Sequence, residues 1–267
     1  MGDEIKFLYD KPALIIDKNI LIIADVHISA EKKVIPNGEE IINLTQIMLD
    51  ELFLIIKEHK IKKIIILGDV KEDLFELTPE LFLFFSKLSE KLEKGIEIVK
   101  GNHDGNLEYL PKNLNIKIFP STGIIYTCKN KSKIGLAHGH AWPDEKLMQC
   151  DYLILAHEHA HIVLEDEKHQ RYYEKVFLTS NINEENAKKK YKKINNNCKL
   201  IIMPTFNPIL YGRAINEQKT GLGPVFKNKV FKLNSILIYT LKGICLGQLE
   251  KRSDIYGAKK RKRKRKT

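Results

Sequence analysis

The sequence predicts a single α/β domain, and three observations carry that prediction. Short runs of Ile, Leu and Val alternate with longer segments of helical periodicity. Five of those short runs are each followed at once by a cluster of Asp, His or Asn. The chain has 267 residues, 43% of them hydrophobic, enough for one sizeable core.

The first of the five strands is expected at Ile20 to Ala24. A helix from about Glu39 to His59 follows, because Leu44, Met48, Leu52, Ile55 and Ile56 recur on one face. Ile64 to Leu67 reads as the next strand. Thr78 followed by Pro79 is a helix-start signal, and Leu81, Phe84, Phe85, Leu88 and Leu92 then form an apolar stripe that ends near Gly95. Strands at Ile96 to Val99, Lys133 to Ala137 and Tyr152 to Ala156 complete the set. From about Thr179 to Lys199 the chain is dominated by Asn, Lys and Glu without apolar periodicity, so this stretch is expected as a mobile insertion. Beyond it, Leu200 to Met203, Val230 to Leu233, Ser235 to Leu241 and Ile244 to Leu249 read as closing strands, the last pair joined by a turn at Lys242-Gly243. The domain is expected over residues 1–250, with a basic, disordered tail over 251–267.

Composition narrows the function classes. Asp3, Glu4, Lys6, Asp10, Lys11, Asp17 and Lys18 occupy the region where a secretory signal would be apolar. No apolar run approaches the roughly 20 residues that span a bilayer, so no membrane association is expected. Cys128, Cys150, Cys198 and Cys245 are far apart and form no CxxC, which fits neither a disulfide framework nor a zinc knuckle and suits a reducing cytoplasm. Of the net charge of +11, Lys259, Lys260, Arg261, Lys262, Arg263, Lys264, Arg265 and Lys266 supply eight positive charges. Such a block suits a polyanion, DNA or RNA, through counterion release.

The chemistry-bearing clusters are Asp25-Val26-His27, Gly68-Asp69, Gly101-Asn102-His103-Asp104, His138-Gly139-His140 and His157-Glu158-His159. Any one of them occurs by chance. Five in series, each just past a strand, do not. Ligands collect beyond the carboxyl ends of strands in open α/β sheets, so the clusters are expected to converge on one sheet edge, as a shared metal site requires. Carboxylate, amide oxygen and imidazole together suit Mn, Fe, Zn or Ni better than Ca, which prefers oxygen alone.

The order DxH, GD, GNHD, H, HxH over about Leu21 to His159 resembles the signature of the calcineurin-like metallophosphoesterases. The resemblance implies two stacked mixed β-sheets flanked by helices, a four-layer α/β/β/α sandwich. It also implies two divalent metal ions, Mn foremost. Carried over by position, Asp25, His27 and His159 match ligands of the first ion, and Asn102, His138 and His157 ligands of the second. Asp69 matches the bridging carboxylate and His103 the catalytic histidine beside the reacting phosphate. A narrower likeness, in Met203-Pro204-Thr205-Phe206-Asn207 through Gly212 to Ile215-Asn216, is to archaeal SbcD-related phosphoesterases and to bacterial ligase-associated DNA-damage-response phosphoesterases. SbcD-type nucleases work with an ATPase, so the likeness leaves room for a separate ATPase or repair partner.

The chain departs from the pattern in two places. Ala156 stands where Gly usually precedes the last HxH. Glu72, with Asp73 beside it, stands where GDxxD or GDxxH supplies an orienting residue, which leaves Glu72, Asp73 and Asp104 as candidate partners of His103. Of these, Asp104 is grouped with His103 as catalytic. His140 and His161 read as neighbours of the ligands rather than ligands, and Lys71, Lys100 and Arg213 as surface cations.

These features imply a two-metal phosphoesterase. Two divalent ions outweigh the two carboxylates, so the centre favours a phosphate, and ions about 3.5 to 4 Å apart lower the pKa of a shared water and aim the resulting hydroxide at phosphorus. His103 is left to protonate the leaving oxygen or stabilise charge. The foremost expectation is a phosphodiesterase or nuclease acting on nucleic acid. A phosphatase or phosphodiesterase for a small nucleotide or metabolite is the alternative, because fold does not decide the substrate. A noncatalytic nucleic-acid-binding protein is the third.

Overall fold

Leu21 and Ile22 are neighbours on one strand, project to opposite faces and are both fully buried, so the sheet that holds them is covered on both sides. A computed structural model describes residues 4–34, 43–217 and 221–249 and shows what covers it. The first sheet has the order β1 (Ile5–Phe7), β2 (Leu14–Ile16), β3 (Ile20–Ala24), β4 (Lys63–Leu67), β5 (Ile96–Val99) and β6 (Ile116–Phe119). Strands β3 to β6 are parallel, while β1, β2 and β3 pair antiparallel.

The second sheet contains β7 (Ile124–Thr127), β8 (Lys133–Leu136), β9 (Tyr152–Leu155), β10 (His161–Glu165), β11 (Arg171–Asn181), β12 (Lys199–Ile202), β13 (Leu237–Thr240) and β14 (Cys245–Gln248). Its order is β14-β13-β11-β12-β9-β8-β7, with β10 hydrogen-bonded to β11 as a hairpin. Five helices complete the described fold: α1 (Glu31–Val34), α2 (Leu44–His59), α3 (Pro79–Ser89), α4 (Glu184–Lys188) and α5 (Pro224–Lys227).

Alternation along the strands assigns side chains to layers. Leu21, Ile23, Ile64, Ile66, Ile96 and Ile98 pack against Leu49, Leu52, Phe84 and Phe85 of α2 and α3. Their neighbours Ile20, Ile22, Ile65 and Leu67 face Ile134, Ile154, Phe177 and Ile201 of the second sheet. Leu153, Leu155, Leu178 and Leu200 on that sheet's outer face meet Ala187 in α4 and Val225 and Phe226 in α5. The chain is therefore a four-layer α/β/β/α sandwich. Thr78 caps α3 ahead of Pro79, and Asn43 caps α2 through its side chain.

Four expectations need correction. Helix α2 begins at Leu44 rather than Glu39, since Asn43 is its cap; Glu39 to Ile42 lie outside the described residues. The stretch 179–199 is built in rather than inserted: Thr179 to Asn181 end β11, α4 follows, and Ala187, Tyr191 and Cys198 are buried. Isolated apolar anchors fix it, and these leave no periodic trace. Val230 to Leu233 forms a bridge between Phe231 and Ile182 followed by a 3-10 turn, not a strand. Lys71 is buried, not on the surface, and donates to the Asp73 carbonyl.

The basic tail over 251–267, including Lys259 to Lys266, lies outside the described residues. Among the described residues, no helix is long and apolar enough to cross a membrane, and the four cysteines are free thiols.

Candidate metal centre

The parallel register sets the site. Ala24 pairs with Leu67 and Leu67 with Val99, so β3, β4 and β5 end level and release their loops at one edge. The loops then run together: Asp25 N donates to Gly68 O at 3.1 Å and His27 N to Asp69 O at 2.8 Å. In the second sheet β8 and β9 are also parallel, and Ala156 N donates to His138 O at 2.9 Å, so their loops leave side by side.

Three groups of side chains result: one is His27, Glu72 and His103, and the other two share an aspartate. Asp25, His27, Asp69 and His159 offer ligand atoms within 4.8 Å of one another, and so do Asp69, His138 and His157. Asp69 belongs to both. His27 Nε2 lies 3.3 Å from His159 Nε2 and 3.7 Å from Asp69 Oδ2. His138 Nε2 lies 2.9 Å from Asp25 Oδ1 and 3.5 Å from Asp69 Oδ2. Asn102 lies in the loop after β5, exposed, between Gly101 and His103.

Backbone geometry at these residues is unusual. Asp25, His27, Asp69, His157 and His159 all have positive φ, between 45° and 69°. A residue with a Cβ pays about 1 kcal/mol or more for that conformation. Five candidate ligand positions adopting it together show loops shaped to aim side chains rather than to minimise local strain. Gly101 has no Cβ because there is no room for one: it would stand 2.2 Å from Asp69 Oδ1.

Electrostatics follow the same arrangement. Burial alone would raise the Asp25 carboxyl, but His159 and His138 hold it far below the usual carboxylate range. For His138 and His159 burial opposes protonation, and the charge and hydrogen bonding of Asp25 outweigh it. Burial and the neighbouring His138 push His157 down to about 4, so its ring is neutral, as a ligand must be. Buried carboxylates and imidazoles converging with two shared foci fit a pair of divalent cations of the transition series.

The residues around the groups fix their orientation. His27 Nδ1 donates to Glu72 Oε2 at 2.7 Å, which leaves Nε2 as the lone-pair atom. His103 Nδ1 donates to the backbone carbonyl of Glu72 at 2.8 Å, since a carbonyl can only accept. Among the three candidates for orienting His103, the structure thus selects Glu72, through its main chain. His103 N also donates to Asp69 Oδ1 at 2.8 Å, and its ring lies 5.0 Å from that of His27.

Asp104, grouped with His103 by the sequence, does not face it. Its buried carboxylate accepts from Val70 N and Gly101 N, both at 2.8 Å, and ties the loop after β4 to the loop after β5. Burial raises its pKa, with the nearby charge of Asp69 adding to the effect. Asp104 is a positioning residue. His140 Nδ1 lies 2.8 Å from His138 Nδ1, and buried His161 donates through Nδ1 to His159 O at 3.1 Å.

Three further residues support the groups without belonging to them. Thr205 Oγ1 donates to Asp25 O at 2.7 Å, and Asn207 Nδ2 donates to Val26 O and His27 O at 2.9 and 3.2 Å. The Met203 to Asn207 segment therefore clamps the backbone of the DxH loop. Glu158, between His157 and His159, points away from them and accepts from Leu222 N and Gly223 N. Thr-x-Asn just past a strand end was the legible trace of the first two, and nothing marked the third.

Two carboxylate-histidine groups sharing one aspartate stand at the strand ends of an α/β/β/α sandwich, and each could hold a metal ion. The profile of the calcineurin-like phosphoesterases matches residues 18–216, and the chain belongs to that family. A search of curated proteins finds no match. Among solved structures, the Pseudomonas putida nuclease MPE is similar at TM-score 0.54 and 18% identity, over 89% of this chain and 92% of that one. That likeness is one of fold. Also similar are YfcE, a phosphoesterase from E. coli (TM-score 0.38, 19% identity, 55% of this chain and 73% of that one), and zinc-complexed Vps29 from Entamoeba histolytica (TM-score 0.34, 16% identity, 83% and 92%).

Proposed function

We propose that this chain is a two-metal phosphodiesterase that hydrolyses nucleic-acid phosphodiester bonds. The observation that carries the reading is the pair of ligand groups sharing Asp69, with His103 held beside them by Glu72. Asp25, His27, Asp69 and His159 would hold one ion, and Asp69, Asn102, His138 and His157 the other, with manganese the foremost candidate. Bound there, such a pair supplies Lewis acidity toward phosphoryl oxygens and lowers the pKa of a water nucleophile.

The chain's own residues do the rest. Because Nδ1–H of His103 is committed to a carbonyl, Nε2 is the ring atom that meets substrate, and as an imidazolium the ring gives its Nε2 proton to the leaving oxygen or hydrogen-bonds developing charge. Glu72 and Asp104 keep the rings and loops in place while that happens.

Nucleic acid is favoured as substrate by the eight consecutive cations at Lys259 to Lys266 and by a nuclease that shares the fold over nine-tenths of both chains. The test compares single-stranded DNA, a generic phosphodiester and a phosphomonoester with Mn²⁺, using the full chain and a version ending at Ala258. DNA hydrolysis that falls with tail removal and with rising salt is expected. Indifference to both, with preference for a small ester, replaces nucleic acid with a metabolite, and no turnover with any metal removes the enzyme reading.

A further inference from the structure

Beside the metal centre lies a group of rings that the site itself does not use. In the β10–β11 hairpin, His161 stands opposite Lys175, Val163 opposite Tyr173 and Glu165 opposite Arg171, so Lys175, Tyr173 and Arg171 follow one another along one face. The loop after β12 docks on this hairpin. Ile215 N donates to His161 O at 2.9 Å, and the Asn216 side chain both accepts from Val163 N at 3.0 Å and donates to Val163 O at 2.7 Å. Tyr211 is thereby held with its ring 5.4 Å from that of His161 and 5.7 Å from that of Tyr173.

The three rings differ in exposure. His161 is buried beneath, while Tyr173 and Tyr211 are 50% and 42% exposed. Two side chains fix the tyrosines from the side: the Arg171 guanidinium, paired with Glu217, lies 5.8 Å from the Tyr173 ring centre, and the buried Lys175 amine, donating to the Thr205 and Asn207 carbonyls, lies 5.4 Å from that of Tyr211. The cluster adjoins the ligands directly. His161 is bonded to the His159 carbonyl, and Gly212, next to Tyr211, packs so close to His159 that a Cβ on it would stand 3.0 Å from the His159 Cβ.

We infer that Tyr173 and Tyr211 form a stacking platform for an unpaired nucleobase of the strand whose phosphate lies at the metal centre. This rests on the nucleic-acid reading above. Half-exposed aromatic rings with a phosphate-directed site next door match what single-stranded nucleic acid presents: a π-face and an anion a few ångströms apart. Every base has a π-face, so the platform selects a base without selecting which one.

The test measures binding by the full-length protein in Mn²⁺, with His103→Asn blocking turnover. Two labelled probes of equal length and charge are used, an oligothymidylate and an abasic strand. The parent is expected to hold the oligothymidylate more tightly. Tyr211→Ala and Tyr173→Ala should each loosen it about tenfold and leave the abasic strand unchanged, with Tyr211→Phe close to the parent. Equal parent affinity for the two strands overturns the platform, and so does equal loss on both, which would mark a structural role. If the unmutated protein leaves oligothymidylate uncut while the tyrosine variants lose affinity for the base-bearing strand alone, the platform stands and the nuclease reading falls.

Discussion

Glu72 Oε2 accepts a hydrogen bond from His27 Nδ1 at 2.7 Å, and the same residue's carbonyl accepts from His103 Nδ1. One residue therefore aligns a candidate metal ligand with its side chain and a candidate catalytic ring with its main chain. The two effects separate on mutation. Glu72→Ala removes only the first, so metal affinity should fall about 10- to 100-fold while turnover at saturating metal is largely kept. Activity titrated against metal concentration, with calorimetry beside it, measures both. Unchanged affinity with lost turnover would show that the side chain serves the reaction instead.

Gly101 tests the packing between the ligand loops. A methyl there would sit 2.2 Å from Asp69 Oδ1 and 2.3 Å from Asp69 N, so the shared carboxylate must shift. Gly101→Ala is expected to cost about 1 to 3 kcal/mol of stability and to lower metal content in the protein that folds. Denaturant midpoints and elemental analysis report the two effects. Wild-type values in both would contradict the close approach.

Lys175 gives the fold a pH dependence. Burial pushes its amine from 10.5 down to about 7, while its nitrogen donates to the carbonyls of Thr205 and Asn207. Between those two values the unfolded chain binds the proton and the folded chain does not, so this group makes stability rise with pH. The penalty is full below the folded value and gone above 10.5. The slope is about 1 kcal/mol per pH unit from pH 7 to 8.5, below the range where buried thiols oppose it. Lys175→Met should remove that slope in urea titrations at several pH values, and a slope shared by both proteins would assign it elsewhere.

The strand framework was legible because β3, β4, β5, β8 and β9 are buried on both faces, which writes continuous apolar runs into the sequence. Their ends carried the candidate ligand residues, so the convergence followed from topology. The β10–β11 hairpin was not legible, since Arg171 to Glu174 beside its turn are polar or exposed and obscure the alternation. Glu72 was read as a possible partner of His103 alone. Its bond to His27 depends on the loops after β3 and β4 running side by side, a contact across 45 residues. The left-handed ligand residues were equally hidden, because Asp and His carry no mark of φ.

In the proposed function Asp69 joins two ion sites, and His103 acts on substrate without holding metal. Metal content and phosphodiester turnover measured together on wild type, Asp69→Ala and His103→Ala test it most directly. Two divalent ions per wild-type chain are expected, with loss of both metal and turnover in Asp69→Ala, and retained metal with turnover lowered at least about a hundredfold in His103→Ala, on the order expected for a general acid. Equal metal loss in the two variants, or turnover by Asp69→Ala at the wild-type rate, would contradict it.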